Sequence, residues 1–179
     1  PMDIQFAREF GYRIKLLGIS KMREEGIELR VHPTLVPSKR LLANVEGAMN
    51  AVLVQADAVG ATLYYGKGAG AEPTASAVIA DLVDVTRLHT ADPEHRVPHL
   101  AFQPDQVRDL KVLPISEVVT SYYLRMRVDD KPGVLADITR ILADSGLSIE
   151  ALIQKEAAEG EAQTDIIMLT HKTVEKNAD

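Results

Sequence analysis

Apolar and polar positions along the 179-residue chain fall into three zones of different texture. In the first, Asp3 to Phe10 has the spacing of a helix tail, and Gly11 follows where a helix C-cap needs positive φ. Arg13 to Leu16 alternates, and Leu16-Leu17-Gly18-Ile19 continues as a buried run, which predicts a strand. After a turn at Glu24-Glu25-Gly26, residues Ile27 to His32 form a period-2 strand with Ile27, Leu29 and Val31 on one face. Asn50 to Gln55 and Ala61 to Tyr65 are two more strands, joined around Asp57 to Gly60. The segment Gly66-Lys67-Gly68-Ala69-Gly70 then leads into a helix from Pro73 to His89, Pro73 suiting the first turn because its missing N–H costs nothing there. Ala75, Val78, Ile79, Leu82, Val85 and Leu88 spread apolar surface round more than one side, which predicts a buried helix.

The middle zone, 90–120, loses periodicity and collects Pro93, Pro98, Pro104 and Pro114 with His95 and His99, close after His89. Proline disfavours helix interiors and inner strands, so this is a linker or an irregular wrap. Periodicity returns in 121–179. Tyr122 to Val128 is a strand with Leu124, Met126 and Val128 inward and Arg125 and Arg127 outward. Asp129 to Gly133 turns the chain, Val134, Leu135, Ile138, Ile141 and Leu142 form a helical stripe, and Gly146 stops it. Leu147 to Gln154 and Thr164 to Thr170 are strands flanking a hairpin loop at 157–162. The order is β-α-β-β, and the chain ends where a second helix would begin.

Composition narrows the class. Aromatics are 4% with no Trp, so any core is aliphatic, and a net charge of −6 argues against a nucleic-acid or anionic-membrane binder. Without Cys there is no disulfide framework, thiolate nucleophile or Cys-bound metal, which fits a reducing cytoplasm. The most apolar stretch, Leu41 to Val54, is too short to span a bilayer and contains Glu46. The opening Pro1-Met2-Asp3 fits either a lost initiator or the middle of a longer protein.

Two places could carry chemistry. Glycines at 66, 68 and 70 before a helix allow close backbone approach, and free N–H groups at the helix start attract phosphate or carboxylate. The same glycines could form a tight connection with no ligand, and the acid that follows a dinucleotide fingerprint about twenty residues on is missing. At Asp129-Asp130-Lys131-Pro132-Gly133-Val134-Leu135, a strand, a Pro-Gly turn and a helix start place donors beside a carboxylate. The N–H groups could take an amino acid's α-carboxylate and Asp130 its ammonium, or the segment could be a plain βα turn. His32 lacks a paired acid, and His89, His95 and His99 lack helical zinc spacing.

Four blocks in residues 1–88 carry a resemblance: Gly11 to Ile19; Arg30-Val31-His32-Pro33-Thr34-Leu35; Ala43-Asn44-Val45 with Asn50-Ala51-Val52; and Tyr65 to Ser76. Together they resemble the homoserine dehydrogenase family, enzymes that interconvert L-homoserine and aspartate semialdehyde with NAD or NADP in threonine, methionine and isoleucine biosynthesis. Arg40-Leu41 departs from the His-Pro that many members carry there. The resemblance implies that a Rossmann domain and the substrate-binding Glu, Asp and Lys precede Pro1, so this chain holds no catalytic residue. It also implies that the backbone at Gly68 and Gly70 lies against the cofactor, with Glu72 and Thr74 close by. Asp130 to Leu135, Ile138 and Gly146 to Ile149 resemble the ACT domain, a βαββαβ amino-acid-binding regulatory module whose last helix and strand are absent here. The implied effector site is Asp130, Pro132, Gly133, Val134 and Leu135, with threonine, the end product, as ligand.

The expected fold is therefore α+β: part of a substrate and dimerisation domain with a mixed sheet and helices (1–89), a Pro-rich linker (90–120), and a ferredoxin-like βαββ ACT domain (121–179). The expected partners are homoserine, NAD or NADP, an amino-acid effector and a second copy of the chain, with no nucleic acid or membrane. The alternative is a free-standing amino-acid-binding regulatory protein without catalysis.

Overall fold

The computed structural model describes residues 2–91, 102–156 and 160–178. Helix α1 (Met2–Glu9) is followed by Gly11 at φ 81° and strands β1 (Tyr12–Met22) and β2 (Ile27–Pro37), which pair as a two-stranded sheet. Strands β3 (Met49–Gln55) and β4 (Ala61–Lys67) form an antiparallel hairpin, and α2 covers Ala71–Thr90. Further along come β5 (Val119–Thr120), β6 (Tyr123–Asp129), α3 (Val134–Asp144), β7 (Ile149–Gln154), β8 (Gln163–Thr170) and β9 (Thr173–Val174). The chain divides into two compact units, one of Pro1–Phe10, Ile14–Leu35 and Leu110–Asp179, the other of Gly11–Arg13 and Val36–Asp109.

Within the first unit, β6, β8 and β7 form an antiparallel sheet with β8 in the centre. Ile166, Ile167, Met168 and Leu169 of β8 are buried on both faces, each such side chain contributing about 1.5–3 kcal/mol. Because side chains alternate along a strand, the register sorts them cleanly. Met126, Ile166 and Gln154 share one face; Arg125, Ile167 and Ile153 share the other. The second face is where α1 rests. Phe6 and Ala7 are buried, the Tyr123 hydroxyl donates to Asp3 Oδ1 (2.9 Å), and Arg125 Nε donates to the same oxygen (2.7 Å). Lys155 Nζ donates to Glu9 Oε1 (2.6 Å) and stands 4.9 Å from the Phe6 ring centre.

The segment read as a linker or an irregular wrap contributes order where it is described. The Ile27 N–H donates to the Lys111 carbonyl and the Leu113 N–H to the Ile27 carbonyl, both at 2.9 Å, so residues around Val112 run parallel beside β2. Gly26 makes this approach possible, because a Cβ there would collide with the Lys111 carbonyl. Short 3-10 turns at Pro104–Gln106 and Ile115–Glu117 lead to β5, which pairs with β9. Pro93, Pro98, His95 and His99 lie outside the described residues. So does 157–159 of the hairpin loop, although Gly160 follows at φ 85°.

Several expected boundaries shift. β2 continues through Pro33 to Pro37, so His32 is inside the strand and not at its end. A two-stranded sheet has only edge strands, where a residue without an N–H is tolerated. β7 begins at Ile149, leaving Leu147 as a buried anchor after Gly146. In the second unit, Val36 and Ala43 are buried, and the Asn44 amide donates to the Ser38 and Arg40 carbonyls at 3.0 Å. Helix α2 corrects the expectation of burial: none of its residues is buried, and Val78, Ile79, Leu82 and Val85 are each more than half exposed. Among the described residues, nothing covers its all-round apolar pattern.

Candidate functional site

The turn between β6 and α3 opens into a pocket of about 350 Å³. It is lined by Asp130, Pro132, Gly133, Val134 and Leu135, together with Val128, Asp129 and Lys131 from the same turn. Gln154 of β7 and Ile166 of β8 complete the wall. Gly133 caps α3 in the left-handed region (φ 95°), a conformation that strains any residue with a Cβ. The Asp130 N–H is held by the Ala162 carbonyl (3.0 Å), which fixes the turn to the start of β8.

Polar groups in the turn are already partly assigned. Lys131 Nζ donates to Asp129 Oδ2 at 2.8 Å, and Gln163 reaches the other Asp129 oxygen at 3.4 Å. The Lys131 hydrogen bond lowers the Asp129 carboxyl below its ordinary range, and the same bond raises the Lys131 ammonium. Asp130 is exposed and, among the described residues, its carboxylate has no ion-pair partner. Of the helix's opening N–H groups, that of Val134 points to the Lys131 carbonyl at 3.4 Å, and that of Asp137 bonds Gly133. The Val134 N–H is thus partly engaged within the turn. Leu135 and Ala136 are the donors for which helix geometry provides no carbonyl. Gln154, Val128 and Ile166 are pocket residues that turn chemistry alone does not find. Their signal is strand parity, since all three lie on the sheet face that carries the turn.

Gly68, Gly70, Glu72 and Thr74 sit in the other unit, at the entry to α2. Gly66 and Lys67 belong to β4, so the glycine segment shortens to Gly68-Ala69-Gly70. A Cβ on Gly68 would overlap the Asn50 side-chain amide, with Asn50 Cγ only 2.9 Å away. The Gly68 N–H and the Asn50 amide converge on the Ala48 carbonyl, at 3.3 and 3.4 Å. Gly68 thus has an internal reason to be glycine. Gly70 caps α2 at φ 124°, and a Cβ there would press on Pro73 Cδ at 3.3 Å. Helix α2 starts at Ala71, two residues earlier than expected, with Glu72 and Thr74 exposed in its first turn. Gly68 and Gly70 are both exposed, and Asn50 lies on the side of Gly68 where a Cβ would project.

Comparison with known proteins gives two family matches along the chain. The homoserine dehydrogenase family model matches residues 1–83 and the ACT domain model matches 122–179. Homoserine dehydrogenase of Pseudomonas aeruginosa is 57% identical across 97% of this chain, and that of Neisseria gonorrhoeae is 59% identical across 98%. A crystal structure of a homoserine dehydrogenase from Thiobacillus denitrificans superposes with a TM-score of 0.88 at 69% identity, covering 99% of this chain and 39% of that one. The chain spans about 40% of the length of these curated relatives. Because the matched relatives run through the α2 region as well as the last β-α-β-β segment, a free-standing regulatory protein is not favoured. The chain belongs to the homoserine dehydrogenase family and ends in an ACT domain.

Proposed function

We propose that this chain is the regulatory and C-terminal substrate-domain portion of an NAD(P)-dependent homoserine dehydrogenase, acting in the cytoplasm as a homodimer or larger homo-oligomer. The full-length protein oxidises L-homoserine to L-aspartate 4-semialdehyde and runs the reverse. What supports the assignment most directly is the 57–59% identity to homoserine dehydrogenases over almost the whole chain. In the full-length protein the backbone at Gly68 and Gly70 and the α2 N-terminus, with Glu72 and Thr74, form one edge of the cofactor site. The cofactor supplies the hydride chemistry.

The pocket at the β6–α3 turn holds a small amino acid, threonine, that inhibits the enzyme. The Leu135 and Ala136 N–H groups and the positive end of the helix dipole receive its carboxylate. Asp130 receives its ammonium, and Gln154 and Ile166 meet its side chain. Lys131, neutralised by Asp129, shapes the rim without competing for the carboxylate.

Homoserine-dependent reduction of NAD(P) by the full-length protein tests the activity. Turnover is expected from that protein and none above background from the 179-residue chain by itself, since hydride and proton transfer need a cofactor fold and a base that the family resemblance places in the part of the enzyme before this chain. Turnover by the isolated chain, or none by the full-length protein, would remove the assignment.

A further inference from the structure

The β6–β8–β7 sheet has different business on its two faces. On one, Val128, Gln154 and Ile166 line the turn pocket. On the other, Tyr123, Arg125 and Lys155 hold α1. The same strands do both. β6 carries Tyr123 and Arg125 near its start and Val128 near its end, and Gln154 and Lys155 are consecutive residues that alternation sends to opposite faces. At the centre of the sheet, Arg125 also faces Asp165 at 3.9 Å, immediately before the pocket residue Ile166.

We propose that α1 is the element through which the turn pocket acts on the rest of the enzyme, with Asp3 and Glu9 as its two attachment points. This rests on the pocket being an amino-acid site. A ligand held between the α3 N-terminus and Gln154 pulls on the ends of β6 and β7 across the central β8 and shifts the twist of the sheet there. The shift is delivered on the opposite face to Asp3 through Tyr123 and Arg125, and to Glu9 and Phe6 through Lys155. The chain from α1 passes through Gly11 directly into β1, so a change in how α1 is seated is passed on along the backbone. The coupling runs through packed neighbours and charge-assisted bonds, and the anchored helix is the element with two seatings. The attachments are chemically distinct: one carboxylate shared by a phenol and a guanidinium, and one ammonium shared by a carboxylate and an aromatic ring.

The test uses the full-length enzyme, wild type and the variants Asp3→Ala and Lys155→Met, with threonine as the probe. Calorimetric binding, threonine inhibition curves and hydrogen exchange at the amides of residues 3–9 are measured on each protein. Threonine is expected to bind all three with dissociation constants within about twofold, while the half-inhibiting concentration rises by about fivefold or more in each variant, the lower end of ordinary allosteric couplings. Exchange in α1 should change on threonine addition in wild type and not in the variants. Two variants at separate attachments keep the test intact should either one fold poorly, and substitution of Asp3 and Lys155 should leave uninhibited turnover within about twofold. If both variants bind and are inhibited as wild type, or if α1 exchange in wild type ignores threonine, the α1 link is wrong although the effector pocket stands. If wild type binds no threonine, the effector assignment itself fails and the link falls with it.

Discussion

At Gly68 the side-chain-free position is set by a neighbour within the fold. Replacing it with alanine forces a Cβ into the Asn50 amide, and overpacking of this kind costs about 1–3 kcal/mol. Asn50→Ala in the same protein should return most of that loss, because it removes the colliding atoms. Denaturant unfolding of both single variants and the double variant measures the coupling. Additive effects would show that Gly68 is constrained by something other than Asn50. A second residue-scale expectation concerns acid. The Tyr123 hydrogen bond lowers the Asp3 carboxyl most; burial opposes it, and the charge and hydrogen bond of Arg125 add to the lowering, so the group lies below its ordinary range. A depressed carboxyl contributes stability above its unfolded pKa of about 4, and that contribution is lost as the pH falls through the lower folded value. The stability difference between wild type and Asp3→Asn should therefore be largest near neutral pH and shrink on acidification below about pH 4. A difference that stays flat to low pH would mean that Asp3 acts by packing. Both residues also mark the limit of sequence reading: Asp3 and Tyr123 are 120 positions apart, and nothing in local periodicity joins them.

Elements were far more legible than their partners. The helix-strand pattern of 121–154 follows from alternation, a Pro-Gly turn and a glycine stop, and the structure reproduces it with ends shifted by one or two residues. The stretch from 110 to 120 was opaque because its order comes from non-local bonds, such as Lys111 to Ile27, and from two-residue strands that carry no period. Helix α2 was opaque in the opposite sense. Its sequence reads as a core helix, yet Val78, Ile79, Leu82 and Val85 are each more than half exposed. We expect amides along α2 to exchange slowly in the full-length protein and markedly faster in the isolated chain, since marginal helices owe most of their stability to packing. Equal protection in the two proteins would show that α2 needs no further cover.

For the whole molecule, the central claim is that a family member's ACT domain reads an amino acid at the turn before α3. The residues of that site were visible as a motif, Asp130 to Leu135, but its far wall was not. Gln154 and Ile166 come from strands 24 and 36 residues beyond Asp130 and meet it only through sheet register. The most direct measurement is calorimetric titration of threonine into the full-length protein and its Asp130→Ala variant. Losing a charge-assisted partner for the ammonium costs about 1.5–3 kcal/mol, so the dissociation constant should rise by roughly 10- to 150-fold, with threonine inhibition weakened in parallel. Equal affinity in the two proteins would take Asp130 out of the site, and no measurable binding by wild type would contradict the effector role of the pocket.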